Sequence, residues 1–287
     1  MKSLVVLRWK EFFDQFMPKN LGLMNQSHLP KLGFFFKGFP EDARLEPHTV
    51  PESLEIARGT LYETWYRCIK ASPYMAEIHS IGVWRSYSQI ETYINFGDLR
   101  DTTFDSWWLN RGYELFREQE DFKKITIQGH NSDGAGDKKI IIEVPLTVSP
   151  GLLKMQFEEL LIARHPDYLN FNRWLYSTSK IPFESSRLTS VSLNLYMDVF
   201  EKWIYYPRMA LYDIGEALKL NRKYIVRRAD KPTDIKEKHL QMSLLVSEYL
   251  IKAKRLVAHA TEGRFPCTDE HEWVKKRFRS SKSKYCK

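Results

Sequence analysis

Cysteine is scarce in this chain of 287 residues: Cys68, Cys267 and Cys286 are the only three, odd in number and far apart. That excludes the stapled scaffold of a small secreted domain and fits a reduced, cytoplasmic setting. No run of about 18 apolar residues occurs, so no membrane span is expected. The opening MKSLVVLRWKEFF has only a short apolar patch, interrupted by Arg8, Lys10 and Glu11. No small-residue cleavage site follows, so it does not read as a signal peptide.

Chemical motifs are also lacking. There is no phosphate-binding Gly-Lys loop, dinucleotide fingerprint or nucleophile elbow, and hence no cofactor is expected. Cys267 and His271 stand four apart with Asp269, Glu270 and Glu272 nearby, but no second ligand pair accompanies them. A structural zinc site needs four closing ligands, so no metal is expected. The densest polar cluster is His130, Asp133, Asp137 and Glu143. A metal-dependent nuclease would continue Glu-x-Lys, whereas Val144 and Pro145 follow Glu143. The NSDGAGD stretch lacks the terminal glutamate of a calcium loop. A turn needing left-handed residues accounts for Asn131, Gly134 and Gly136 without chemistry. The first two of three functional readings are non-enzymatic, and a metal-dependent nuclease-like enzyme is the last.

What the chain does have is apolar bulk and a lopsided charge. It is 43% hydrophobic and 28% charged, with 14% aromatics that include eight tryptophans. Those values describe a globular protein with large buried rings. The net charge is +8. Residues 219–231 carry six cations (Lys219, Arg222, Lys223, Arg227, Arg228 and Lys231) against Asp230 alone. Residues 275–287 carry seven, among them Lys275, Lys276, Arg277 and Arg279, and no acid. The rest of the chain is net negative. Such asymmetry points to a polyanionic partner, nucleic acid before membrane.

Periodicity predicts a mainly α-helical protein with one β-hairpin and a C-terminal helical, helix-turn-helix-like module. Residues 1–51 read as an N-terminal helix and a proline-rich arm. The arm's apolar knot at 32–39 either packs on the body or meets a protein partner. Residues 52–177 form a helical body: helices over 52–70, over much of 73–94, and after Thr102 or Thr103, where Asp105 sits in the first turn. The Trp107-Trp108 pair reads as core packing, with a base-stacking platform as the alternative. KITIQ and IIIEV, within 124–144, predict the hairpin. Ser149-Pro150 starts a helix to about residue 164, and 168–177 adds a short one carrying Trp174.

Residues 178–266 form the C-terminal module. Leu188 to Tyr205 is helical, with Leu188, Val191, Leu195 and Val199 in one inward stripe and Asn194, Asp198 and Glu201 on the outer face. Pro207 breaks it. The last helix, Thr233 to Ala260, spans about 42 Å at 1.5 Å per residue and ends at Gly263. Residues 267–287 are the basic tail, anchored by Trp273 and Phe278.

The stretch Pro207 to Arg228 carries the functional reading. Ile214, Leu218, Leu220 and Ile225 fall where a helix-turn-helix needs inward apolar residues. Tyr212 to Leu218 would support, and Asn221 to Arg228 would enter the groove. Lys219 replaces the usual turn glycine, and Arg228 a usual apolar residue. The expected phosphate contacts are Arg222, Lys223, Tyr224, Arg227, Arg228 and Lys231, with Lys275, Lys276, Arg277 and Arg279 of the tail. Two stretches, FGDLRDTTFDSWWLNRGYELF (96–116) and LIKAKRLVAHATEGRFP (250–266), resemble segments of uncharacterised bacterial proteins carried on prophages and other integrating elements. The resemblance implies a bacterial cytoplasmic setting and strengthens DNA as the partner; it assigns no site residue. The leading expectation is a DNA-associated, non-enzymatic protein of a mobile element or defence system. An interaction subunit of a larger bacterial or phage assembly is second.

Overall fold

Short polar residues mark where helices begin. In the computed structural model, Thr60, Ser72, Ser86 and Thr103 each stand one residue before a helix and accept a backbone N–H of its first turn. Such caps satisfy donors that have no intrahelical partner. At Thr49 the cap is reversed, with the Glu52 carboxylate accepting the Thr49 N–H at 2.9 Å. The structure describes residues 33–44, 46–119, 149–165, 177–184 and 188–274, with Ile142, Val144, Thr147, Tyr168, Leu169 and Trp174 as single positions. These caps open α1 (Val50–Ala57), α2 (Leu61–Lys70), α3 (Pro73–Ile81), α4 (Tyr87–Phe96) and the start of α5. Helix α5 runs from Phe104–Trp107 through a π turn at Trp108–Gly112 into Tyr113–Phe116.

Two helices expected as single rods are broken. Gly59 takes φ +71° and Thr60 recaps, so 52–70 becomes α1 and α2. Gly82 takes φ +66° and Ser86 recaps, so 73–94 becomes α3 and α4. Both glycines occupy the left-handed region that terminates helices. Further on come α6 (Pro150–Arg164), α7 (Ser190–Tyr205), α8 (Leu211–Ala217) and α9 (Pro232–Thr261). Among the described residues there is no β-strand, only an isolated antiparallel bridge between Phe34 and His48. The hairpin expected over 124–144 lies outside the described residues except for Ile142 and Val144, neither of which is in a strand. Most of the helix expected over 168–177 lies outside them too.

The 30-residue α9 is the axis of the fold. It packs on α2, α3, α4, α7 and α8. Its last turns, Leu256 to Thr261, are buried on every side. Beside them Trp65 of α2 is fully buried, donates its indole N–H to the Ala260 carbonyl at 3.3 Å and stacks on Phe265 at 5.0 Å. One hydrophobic core therefore joins Phe36 near the described N-terminal end to Phe265 near the other.

Three expectations are decided at this level. The aromatic arm is taken up by the chain itself: Phe36 and Phe39 are buried, stacked at 4.7 Å, and Phe36 meets Trp108 at 5.6 Å. Burial of those two rings takes Phe36 and Phe39 out of reach of a protein partner. Asn194, Asp198 and Glu201 are only partly exposed. They meet α2, where the Arg67 guanidinium donates to all three. Val191, expected in an inward stripe, is instead exposed.

Candidate nucleic-acid interface

Helix α8 stops at a Schellman motif. The Lys219 N–H bonds the Glu216 carbonyl at 3.0 Å, and the Leu220 N–H the Gly215 carbonyl at 3.1 Å. Lys219 occupies the left-handed position at φ 52°, where glycine is usual. The supporting helix of the expected helix-turn-helix is thus present and ends in the required turn. The reader helix is not. Asn221 accepts the Lys223 N–H at 3.0 Å, which caps a single 3-10 turn, Arg222–Tyr224.

Side chains then take the backbone donors that a helix would use. Glu216 accepts the Val226 N–H at 3.1 Å and Asp230 the Arg227 N–H at 2.6 Å. Such competition favours turns over helix, and β-branched Ile225 and Val226 add to it. Residues 219–231 are therefore a return loop running from the end of α8 to the start of α9. Lys238 of α9 pins it through the Ile225 carbonyl at 3.3 Å and Asp230 at 2.6 Å. The Asp234 carboxylate accepts the Lys231 N–H at 3.3 Å where α9 begins.

The loop's cations are exposed: Lys219, Arg222, Lys223, Arg227, Arg228 and Lys231. Among the described residues none of the six forms an ion pair, while Asp230 is engaged by Lys238. That contact, with the Arg227 backbone N–H, holds the Asp230 carboxyl below its ordinary range. Tyr224 is partly buried. Beside the loop, Tyr212 of α8 stacks on His239 of α9 with ring centroids 3.9 Å apart and planes at 11°. Residues so far apart in sequence carry no local signal for such a stack, and sequence reasoning missed it. The tail contacts Lys275, Lys276, Arg277 and Arg279 lie outside the described residues.

The Trp107-Trp108 and Cys267-His271 candidates resolve into packing. Trp107 and Trp108 are buried; their N–H groups bond the Phe96 carbonyl at 2.9 Å and Ser53 Oγ at 3.0 Å. Neither indole of the pair is free to stack on a base. Cys267 Sγ lies 3.6 Å from Asp269 Oδ2, and His271 Nε2 bonds Glu262 at 3.0 Å. Among the described residues no group of three metal-ligating side chains converges. The cluster His130, Asp133, Asp137 and Glu143 lies outside the described residues. Between α3 and α4 a cleft of about 50 Å³ is lined by His79, Tyr93, Asp98 and Arg100. Burial makes His79 less basic and pushes Tyr93 up to about 12. The cleft has room for a water or two, far below the several hundred Å³ of a small-molecule site.

No helix among the described residues is long and apolar enough to cross a membrane. Comparison of the chain with protein-family models, with curated proteins and with solved structures returns no match.

Proposed function

We propose that this chain is a nucleic-acid-associated, non-enzymatic protein that grips a phosphate backbone through the return loop 219–231, helped by the cationic tail. The observation that carries the reading is electrostatic. Six exposed cations stand within thirteen residues, without an ion pair among the described residues, and the single acid among them is neutralised from α9. A loop of this form offers no helix to a major groove, so its contacts would be to phosphates and largely independent of sequence. The partner we favour is duplex DNA. The setting, a bacterial mobile element or defence system, rests on the resemblance of 96–116 and 250–266.

The test is binding of a labelled random-sequence duplex from about 50 to 200 mM salt. Wild type should bind with a steep salt dependence. Combined replacement of Arg222, Lys223, Arg227 and Arg228 by alanine should lower the logarithmic salt slope by about three to four. Deletion of 275–287 measures the tail separately. No binding at the lowest salt, or an unchanged slope in the quadruple variant, overturns the reading. A second reading, an interaction subunit of a larger assembly, is favoured by α6, which buries no side chain and exposes Leu152, Met155 and Ile162. Co-purification of one stoichiometric protein with a chain that ignores DNA would select it.

A further inference from the structure

The middle of α9 has a second apolar face. Met242, Val246, Leu250 and Ala253 point into the core. Half a turn around the helix, Leu240 is 58% exposed, Leu244 57% and Ile251 45%. With Ser247 these residues recur at intervals of four, three and four, the spacing of a coiled-coil seam. One step beyond each end the seam closes on a charge of opposite sign. Glu237 is exposed, and Lys254 is partly buried with its ammonium over the Trp203 ring.

We propose that this face is a homodimer interface in which α9 packs antiparallel on α9 of a second copy. The ends decide the orientation. In a parallel pair Glu237 would face Glu237 and Lys254 would face Lys254, two like-charge layers. In an antiparallel pair with its two-fold between Leu244 and Ser247, no layer sets like charges together. Leu244 lies over the partner's Ser247, Leu240 over the partner's Ile251, and Glu237 over the partner's Lys254. A two-fold interface uses one patch twice, so a stripe that is self-complementary on reversal satisfies the symmetry. The seam from Glu237 to Lys254 is about 26 Å long at 1.5 Å per residue. This association is independent of any nucleic acid.

The full chain should sediment as a dimer at tens of micromolar. Leu244→Glu, on an exposed position, should keep its helical circular dichroism yet sediment as a monomer, a rise in the dimer dissociation constant of more than about tenfold. Orientation is read by cysteine cross-linking with diamide in a Cys286→Ser background. Leu240→Cys with Ile251→Cys should yield a disulfide-linked dimer. Leu240→Cys alone should not, because the two copies of residue 240 lie about 16 Å apart along the antiparallel axes, beyond the reach of a disulfide. Four results would each overturn the proposal: a monomeric wild type, a dimer that survives Leu244→Glu, a cross-link in the single variant Leu240→Cys, or a double variant that fails to cross-link.

Discussion

Gly215 of α8 lies against Met242 of α9 so closely that a Cβ at this glycine would fall inside the contact distance of the Met242 side chain. Val246 Cγ2 would stand at 3.0 Å from it. Both neighbours are fully buried. Gly215→Ala should therefore cost about 1–3 kcal/mol, the usual range for overpacking a filled core. Urea denaturation measures it. Because α8 leads straight into the return loop, the same variant should displace residues 219–231.

Arg67 ties α2 to α7 through three acceptors: Asp198 at 2.6 Å, Glu201 at 2.9 Å and Asn194 at 3.2 Å. Its side chain is only 21% exposed, while Asp198 is 43% exposed. The cluster lies between a surface pair, which contributes little, and a buried one, whose breaking costs several kcal/mol. Arg67→Ala should destabilise by about 1–3 kcal/mol on that scale. Arg67→Lys should recover only part of the loss, since an ammonium cannot bridge two carboxylates as a planar fork does. Thermal melts of the three proteins, at low and high salt, decide between charge and geometry.

Much of this fold is legible from local signals. Ser149-Pro150 marks the start of α6 and Pro207 follows the end of α7, because a cap or a proline acts on neighbouring backbone alone. Gly59 and Gly82 are harder to read. Each lies inside an apolar spacing that continues across it, so periodicity masks the break. Asn194, Asp198 and Glu201 show a different limit, since a polar stripe looks the same whether water or a guanidinium faces it. The candidate site divides likewise. Charge and exposure of 219–231 follow from composition, whereas the missing reader helix depends on Glu216 and Asp230 reaching backbone donors across the loop.

Acid should weaken this protein through His259. The ring is buried, donates from Nε2 to the Asp269 carbonyl at 3.3 Å and leaves Nδ1 buried with no partner among the described residues. Burial first, then the neighbouring His271 ring and the Arg264 charge, lower its basicity; the Asp269 carbonyl and Glu184 offset part of this. A histidine with a depressed native pKa stays neutral when folded and takes a proton when unfolded. Stability is then full above the unfolded value of about 6.5 and declines as pH falls from there towards the native pKa. Melting temperature between about pH 7.5 and 5 should show this slope. His259→Gln, which keeps a donor near Nε2, should flatten it; an equal slope in the variant would place the titration elsewhere, with His79 the next group to test.

Lys219 sets conformational ease against charge at a single position. Its φ of 52° is one that glycine adopts without strain and lysine does not. Lys219→Gly should therefore stabilise the chain by about 0.5–1 kcal/mol while preserving the Schellman stop. It also removes one exposed cation from the return loop. If phosphate contacts are the loop's role, the logarithmic salt slope of duplex binding should fall by about one in the same variant. Opposite movements of stability and binding would mean that lysine is kept at a strained site for its charge. A rise in stability with no change in slope would make Lys219 a bystander and confine the contact to Arg222 through Lys231.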